Sequence, residues 1–310
     1  MSSTAPPDAA LPASVALEAD AATHLTALRA ELDRIDDALH GLLMERAHIV
    51  ASLASSGTKI RTVALRPGRE ANIIRRLLAN HSGPLPPHAL VRLWRELLAA
   101  TTAMQGPYTV AVCETDPADG YTQAAREHFG ALTPLRILRS PAQALAEVGA
   151  GRSSVAVLPL PREAEAERGA WWTALLQKEA PRIHVVARLP FWSPRPEGAT
   201  AVQALVVAAI APDPTDNDRS LLGLELALDV SRARLTTALT AAGFVPGTVI
   251  LRRDPGAPVA HALADVAGHV TEADPRLDDI QPLLRRPVVL GAYAVPIGTN
   301  ATSTSGGTSP

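Results

Sequence analysis

The sequence predicts an all-helical block followed by an α/β region that ends in a β-β-α-β module. Three observations predict this. Apolar residues recur in alternating steps of three and four from Leu25 to Leu53, the period of one face of a long helix. Turn-forming runs at Arg66-Pro67-Gly68, His81 to Pro87 and Gly106-Pro107 then mark off two shorter helices. Beyond Gly106 the pattern becomes short apolar runs separated by helical stretches, as in an α/β sheet.

The elements follow in order. The long helix is expected from about Thr23 to Ser55, where Gly57 breaks it. A second helix continues to Leu78 and a third runs from His88 to about Met104. One long and two shorter amphipathic helices close a core poorly alone, so this block is expected to form a dimeric bundle. Tyr108–Cys113 and Ser154–Leu158 read as buried strands, with helices at Gly120–Phe129 and Ala142–Val148. Pro194–Gly198 reads as a linker or hinge. Ala204–Ile210, Leu221–Leu228, the helix Ser231–Ala242 and Thr248–Arg252 give the final module. The expected organisation is a disordered stretch at 1–20, a helical domain at 21–106, an α/β region at 107–200, the module at 201–297 and a disordered tail at 298–310.

Bulk properties narrow the function. The chain has 310 residues, 47% hydrophobic and 19% charged, enough to bury a core. The net charge of −2 gives no global pull toward nucleic acid or an anionic membrane. Residues 21–106, however, carry eleven Lys/Arg against seven Asp/Glu. That surplus suits a small anionic ligand or a plain solvated helix surface. Cys113 is the only cysteine, which excludes an internal disulfide framework and reads as a buried thiol. No signal peptide and no bilayer-length apolar run is visible, so a cytoplasmic protein is expected.

Arg46 is the informative residue of the long helix. The seam runs Leu25, Leu28, Leu32, Ile35, Leu39, Leu42, then Arg46, Ile49 and Leu53. Such positions face another helix, and a guanidinium buried there without a partner is costly. No acid on the stripe is its obvious mate, so an anionic ligand is one candidate; a snorkelling interface arginine is the plain alternative. Arg29 lies at the edge of the same seam. Glu70 shares a stripe with Ile74 and Leu77, beside Arg69, and the third helix ends its stripe in Thr101 and Gln105.

In this order, these residues resemble the all-helical chorismate mutase family. The resemblance covers residues 24–106. It is carried by Leu-x-x-Leu-Arg at 25–29, Glu45-Arg46, Arg66-Pro67-Gly68-Arg69-Glu70 and Gln105. It implies a cofactor-free pericyclic rearrangement of chorismate to prephenate in a homodimer. That chemistry needs no nucleophile or metal, only a held conformer and stabilised charge on the breaking ether oxygen. By resemblance, Arg46 and Arg29 clamp the carboxylates, with Arg29 from the neighbouring subunit. Glu70 takes the ring hydroxyl, helped by the backbone near Arg69. Gln105 donates to the ether oxygen and Thr101 lines the pocket. Two positions depart from the pattern. The family's lysine near the end of the first helix falls at Ser56 or Gly57 here, and Lys59 lies just beyond. Either Lys59 reaches inward from a shifted loop, or it is a solvated loop lysine. Arg66 stands where many relatives carry an acid.

The second half resembles prephenate dehydratase in Gly120-Tyr121-Thr122-Gln123-Ala124-Ala125, Phe129-Gly130 and Val155 to Pro159. Residues 220–253 resemble that family's ACT regulatory domain. The functional positions differ. Leu160-Pro161-Arg162 replaces Glu-Asn-Ser, and Val202-Gln203-Ala204 replaces Thr-Arg-Phe. The Gly-Ala-Leu and Glu-Ser-Arg-Pro signatures of phenylalanine binding are absent. The resemblance therefore implies a mutase whose extension is structural or regulatory. The rivals are a non-catalytic protein that binds a metabolite of the aromatic pathway and a bifunctional mutase–dehydratase. The tryptophans Trp171, Trp172 and Trp192 read as packing, and Asp213 to Arg219 as a solvated loop.

Overall fold

A computed structural model describes residues 13–298 except 56–64, 115, 117–119, 164–169, 179, 194 and 282, and side chains from Asp20 onward. The chain divides into two compact units, residues 1–58 and 59–310. Helix α1 (Ala13–Ser55) fills the described part of the first and runs unbroken for 43 residues. Alanine-rich sequence carries it back past the expected start at Thr23, so residues 13–20, expected to be disordered, belong to the helix. The rest of the expected disordered ends, 1–12 and 299–310, lies outside the described residues. The apolar seam residues of α1, from Leu25 to Leu53, are 40–63% exposed in the single chain.

In the second unit, α2 (Pro67–Ala79) and α3 (Pro87–Ala103) each start with proline in the first turn, where its missing N–H costs nothing. Ala71 and Ile74 of α2 and Leu98 of α3 bury themselves with Phe191 and Ala294. That apolar contact explains a difference from the expected 21–106 domain: α2 and α3 belong to the same unit as the α/β body.

The body continues with β1 (Val110–Cys113), α4 (Tyr121–Phe129), β2 (Leu135–Leu138), α5 (Pro141–Gly149), β3 (Val155–Pro159), β4 (His184–Leu189) and β5 (Ala204–Ala208). It closes with β6 (Asp218–Leu226), α6 (Arg232–Ala241), β7 (Pro246–Arg252), β8 (Ala260–Ala267) and β9 (Val288–Ala294). Among the described residues, these nine strands form one sheet in the order β2-β1-β3-β5-β4-β9-β6-β8-β7. β1 and β3 are wholly apolar runs and pair in parallel, as strands covered on both faces must. Cys113 is the expected buried thiol, and Trp171 and Trp172 pack into the core on a 3-10 turn.

The expected boundary at residue 201 has no counterpart in the sheet. β5 pairs with both β3 and β4, so its five buried residues belong to the first half. The second half starts at β6, and its strand order β9-β6-β8-β7 with α6 as crossover is a split β-α-β arrangement. A short 3-10 turn at Pro275–Leu277 stands where a second helix would lie. The named strands of the two halves pair in parallel at Val185 and Gly291, and a further parallel bridge joins Trp192 to Ile297.

Glu272 ties the segment before β4 to β9. It accepts from Lys178 Nζ at 2.8 Å, from Arg182 Nη2 at 2.5 Å and from the Val289 N–H at 3.0 Å. Burial pushes its carboxyl up, and Lys178, Arg182 and the Val289 N–H outweigh that, holding it below the usual 4.5. A folded value below the unfolded one stabilises above about pH 4.5 and loses that stability as pH falls through the folded value. Glu272→Gln should therefore flatten the acid limb of the stability curve. The carboxylate is 34% exposed, so the change should be below about 1 kcal/mol. Urea midpoints from neutral to about pH 3 would read it; parallel curves would refute it.

Candidate active site

Arg29 and Arg46 lie on α1, Arg29 exposed and Arg46 half-buried. The helix between them is unbroken, so their Cα atoms stand about 25 Å apart at 1.5 Å per residue. One small dicarboxylate cannot touch both arginines of the same chain. Lys59 lies outside the described residues.

The other candidates stand in the second unit. Pro67 sets the start of α2 and places Arg69 and Glu70 in its first turn, where a carboxylate complements the helix dipole. Arg69 points to solvent. Glu70 turns inward and accepts from Arg95 Nη1 at 3.0 Å, the two side chains being 16% and 5% exposed. Burial pushes the Glu70 carboxyl above its ordinary value, and Arg95 opposes the shift. Burial pushes Arg95 down, opposed first by Glu70. Arg95 also lies 5.2 Å from the centre of the Phe191 ring, within cation–π reach. Burial pushes the nearby Tyr108 phenol well up and the His128 imidazole well down.

Thr101 is buried, its hydroxyl donating to the Leu97 carbonyl at 2.9 Å. Gln105, just past the end of α3, donates from Nε2 to the Thr101 carbonyl at 3.2 Å. Thr101 and Gln105 are thus neighbours, as their spacing predicts. Arg95 escaped the sequence reading although its signal was there: Val91, Arg95, Leu98 and Thr102 recur in steps of four and three, the same pattern that exposes Arg46.

A separate cavity of about 790 Å³ opens between α3, the start of α4, Trp192 and residues 195–199. Arg92, Arg95, Glu114, Thr122, Arg126 and Arg195 are among its walls. Glu114 is buried and accepts from the Thr122 N–H at 3.2 Å and from the Thr122 hydroxyl. The positive end of α4 therefore already faces a carboxylate of this chain.

Residues 28–106 match the family model of chorismate mutase type II. That segment contains every candidate position from Arg29 to Gln105. Over 147 residues, the chain is 31% identical to the bifunctional chorismate mutase/prephenate dehydratase of Pseudomonas aeruginosa. The match takes in 46% of this chain and 40% of that protein, so the chain spans less than half the length of this curated relative. Two solved structures align over 61% of this chain. They are the quorum-quenching acylase GqqA, at 19% identity, TM-score 0.47 and 96% of its length, and the prephenate dehydratase of Streptococcus mutans, at 14% identity, TM-score 0.45 and 98% of its length. Among the described residues, no helix is long and apolar enough to cross a membrane.

Proposed function

We propose that this chain is a chorismate mutase, an isomerase that rearranges chorismate to prephenate as a cytoplasmic, cofactor-free homodimer. The observation that carries this reading is the family match over 28–106, which holds Arg29, Arg46, Arg69, Glu70, Thr101 and Gln105 in one segment. The reaction is concerted and transfers no proton. The protein has only to hold the compact conformer and meet charge on the ether oxygen. Arg46 grips one carboxylate with a bidentate fork. Arg29 comes from a second copy, a reading that its distance from Arg46 along α1 supports, and the exposed seam of α1 is the surface that the copy covers. Glu70 gives one oxygen to Arg95 and the other to the ring hydroxyl. Gln105 turns from the Thr101 carbonyl to the ether oxygen. Lys59 adds a second donor if its loop folds inward.

The α/β extension carries no dehydratase activity in this proposal. Val202-Gln203-Ala204 lacks the hydroxyl and guanidinium of the resembling family, and Glu114 already occupies the start of α4. The β6-α6-β7-β8-β9 half is then an ACT-like regulatory or structural unit. A second reading, binding of a pathway metabolite without turnover, draws on the missing helix-end lysine.

Chorismate consumption by the purified protein, with prephenate separated from phenylpyruvate, tests all three readings. Prephenate alone is expected, with Arg46→Ala lowering turnover about 10²–10³-fold by analogy with loss of one transition-state donor. A comparable loss in Lys59→Ala would place that lysine at the ether oxygen. Phenylpyruvate would restore the dehydratase. No consumption would leave the binding reading.

A further inference from the structure

The loop between β5 and β6 reads from sequence as solvated, yet it holds α2 at its start and again at Arg75. Arg66 Nε donates to Asp213 Oδ2 at 2.7 Å. A Cβ on Gly68 would lie 2.7 Å from the Asp213 carbonyl oxygen and 2.8 Å from the Asp213 Cβ, so only glycine lets the loop approach this closely. Further along, Arg75 donates to Thr215 Oγ1 at 2.9 Å and to the Asn217 and Val295 carbonyls at 2.9 and 2.7 Å. Thr215 is itself fixed, its N–H and hydroxyl each donating to the buried Asp218 at 2.5 Å.

Arg69 and Glu70 sit between these two anchors. A short helix held at its first residues and again at Arg75 cannot turn about its axis, and that rotation decides where residues 69 and 70 point. We infer that Asp213 and Thr215 are positioning residues for the Arg69–Glu70 pair, so that the α/β extension sets the substrate affinity of the proposed mutase. The inference rests on the proposed function. Loosening the clamp lowers the fraction of molecules with α2 correctly turned, and apparent affinity falls by that fraction.

The test uses the full chain with Asp213→Ala, Asp213→Asn and Thr215→Val. In Asp213→Ala and Thr215→Val, KM for chorismate should rise about 5-fold or more while kcat stays within about twofold. Amide exchange in residues 70–78 should quicken in the same two variants. Asp213→Asn keeps an acceptor for Arg66 and should recover most of the affinity. Unchanged KM, or a lower melting temperature with KM and kcat both preserved, would overturn the inference and leave plain packing. If the unsubstituted protein does not turn chorismate over, the mutase reading falls separately. Chorismate affinity by calorimetry then replaces KM: weaker binding in Asp213→Ala supports the positioning role, and equal binding overturns it.

Discussion

Gly291→Ala is expected to cost about 3–5 kcal/mol of folding stability. β4 and β9 pair as strands at Val185 and Gly291, and Gly291 has φ of +138°. A side chain at that angle is strained by about 1–3 kcal/mol. Its Cβ would also overlap the Val185 carbonyl oxygen and come within 2.5 Å of the Val185 amide nitrogen. Both atoms are backbone inside a sheet, so nothing flexible can yield, and overpacking adds about 1–3 kcal/mol or more. Gly256→Ala separates the two causes. Gly256 has φ of +78° with nothing within 4 Å of its Cβ, so that variant should lose only about 1–2 kcal/mol. Urea unfolding of the two variants reads the difference. Equal losses would mean that the joint between the half-sheets tolerates a Cβ.

That joint was not legible in the sequence, and the reason is physical. β1 and β3 announce themselves as unbroken Val/Ala/Leu runs because both of their faces are covered. β8, with alanines at 260, 262, 264 and 267, reads as readily as helix, and β9 carries a glycine that weakens a strand pattern. β2 is a four-residue edge strand with half-exposed ends, too short to show a period. The helical block was legible because a period of seven over 29 residues of α1 leaves each apolar and polar place distinct. Arg46 stood out as a candidate for the same reason, since it breaks an otherwise apolar row. What sequence spacing could not give was partnership across the chain. Asp213 and Arg66 lie 147 positions apart, and only the folded sheet brings them together.

Arg95→Met should destabilise the protein by about 3–5 kcal/mol at neutral pH, because it leaves the Glu70 carboxylate buried without its partner. The double variant Arg95→Met with Glu70→Leu should recover most of that, since a buried ion pair replaced by apolar groups of similar size is often neutral. The loss also has a pH signature. Burial already raises the Glu70 carboxyl and Arg95 restrains it; without Arg95 the group rises further. A folded value above the unfolded one favours the fold at low pH, below the unfolded value, and loses that contribution as pH rises through the folded value. The Arg95→Met deficit should therefore shrink as pH falls toward about 4. A deficit of equal size at both pH values would show that lost packing over Phe191, not the stranded carboxylate, is the cause. The same variant bears on the proposed chemistry. With one Glu70 oxygen on Arg95, the other is purely an acceptor for a ring hydroxyl only while the carboxyl is ionised, the form that Arg95 favours against burial. Arg95→Met should accordingly weaken chorismate binding at neutral pH even in the molecules that remain folded, whereas a variant that merely unfolds would lower activity without changing KM.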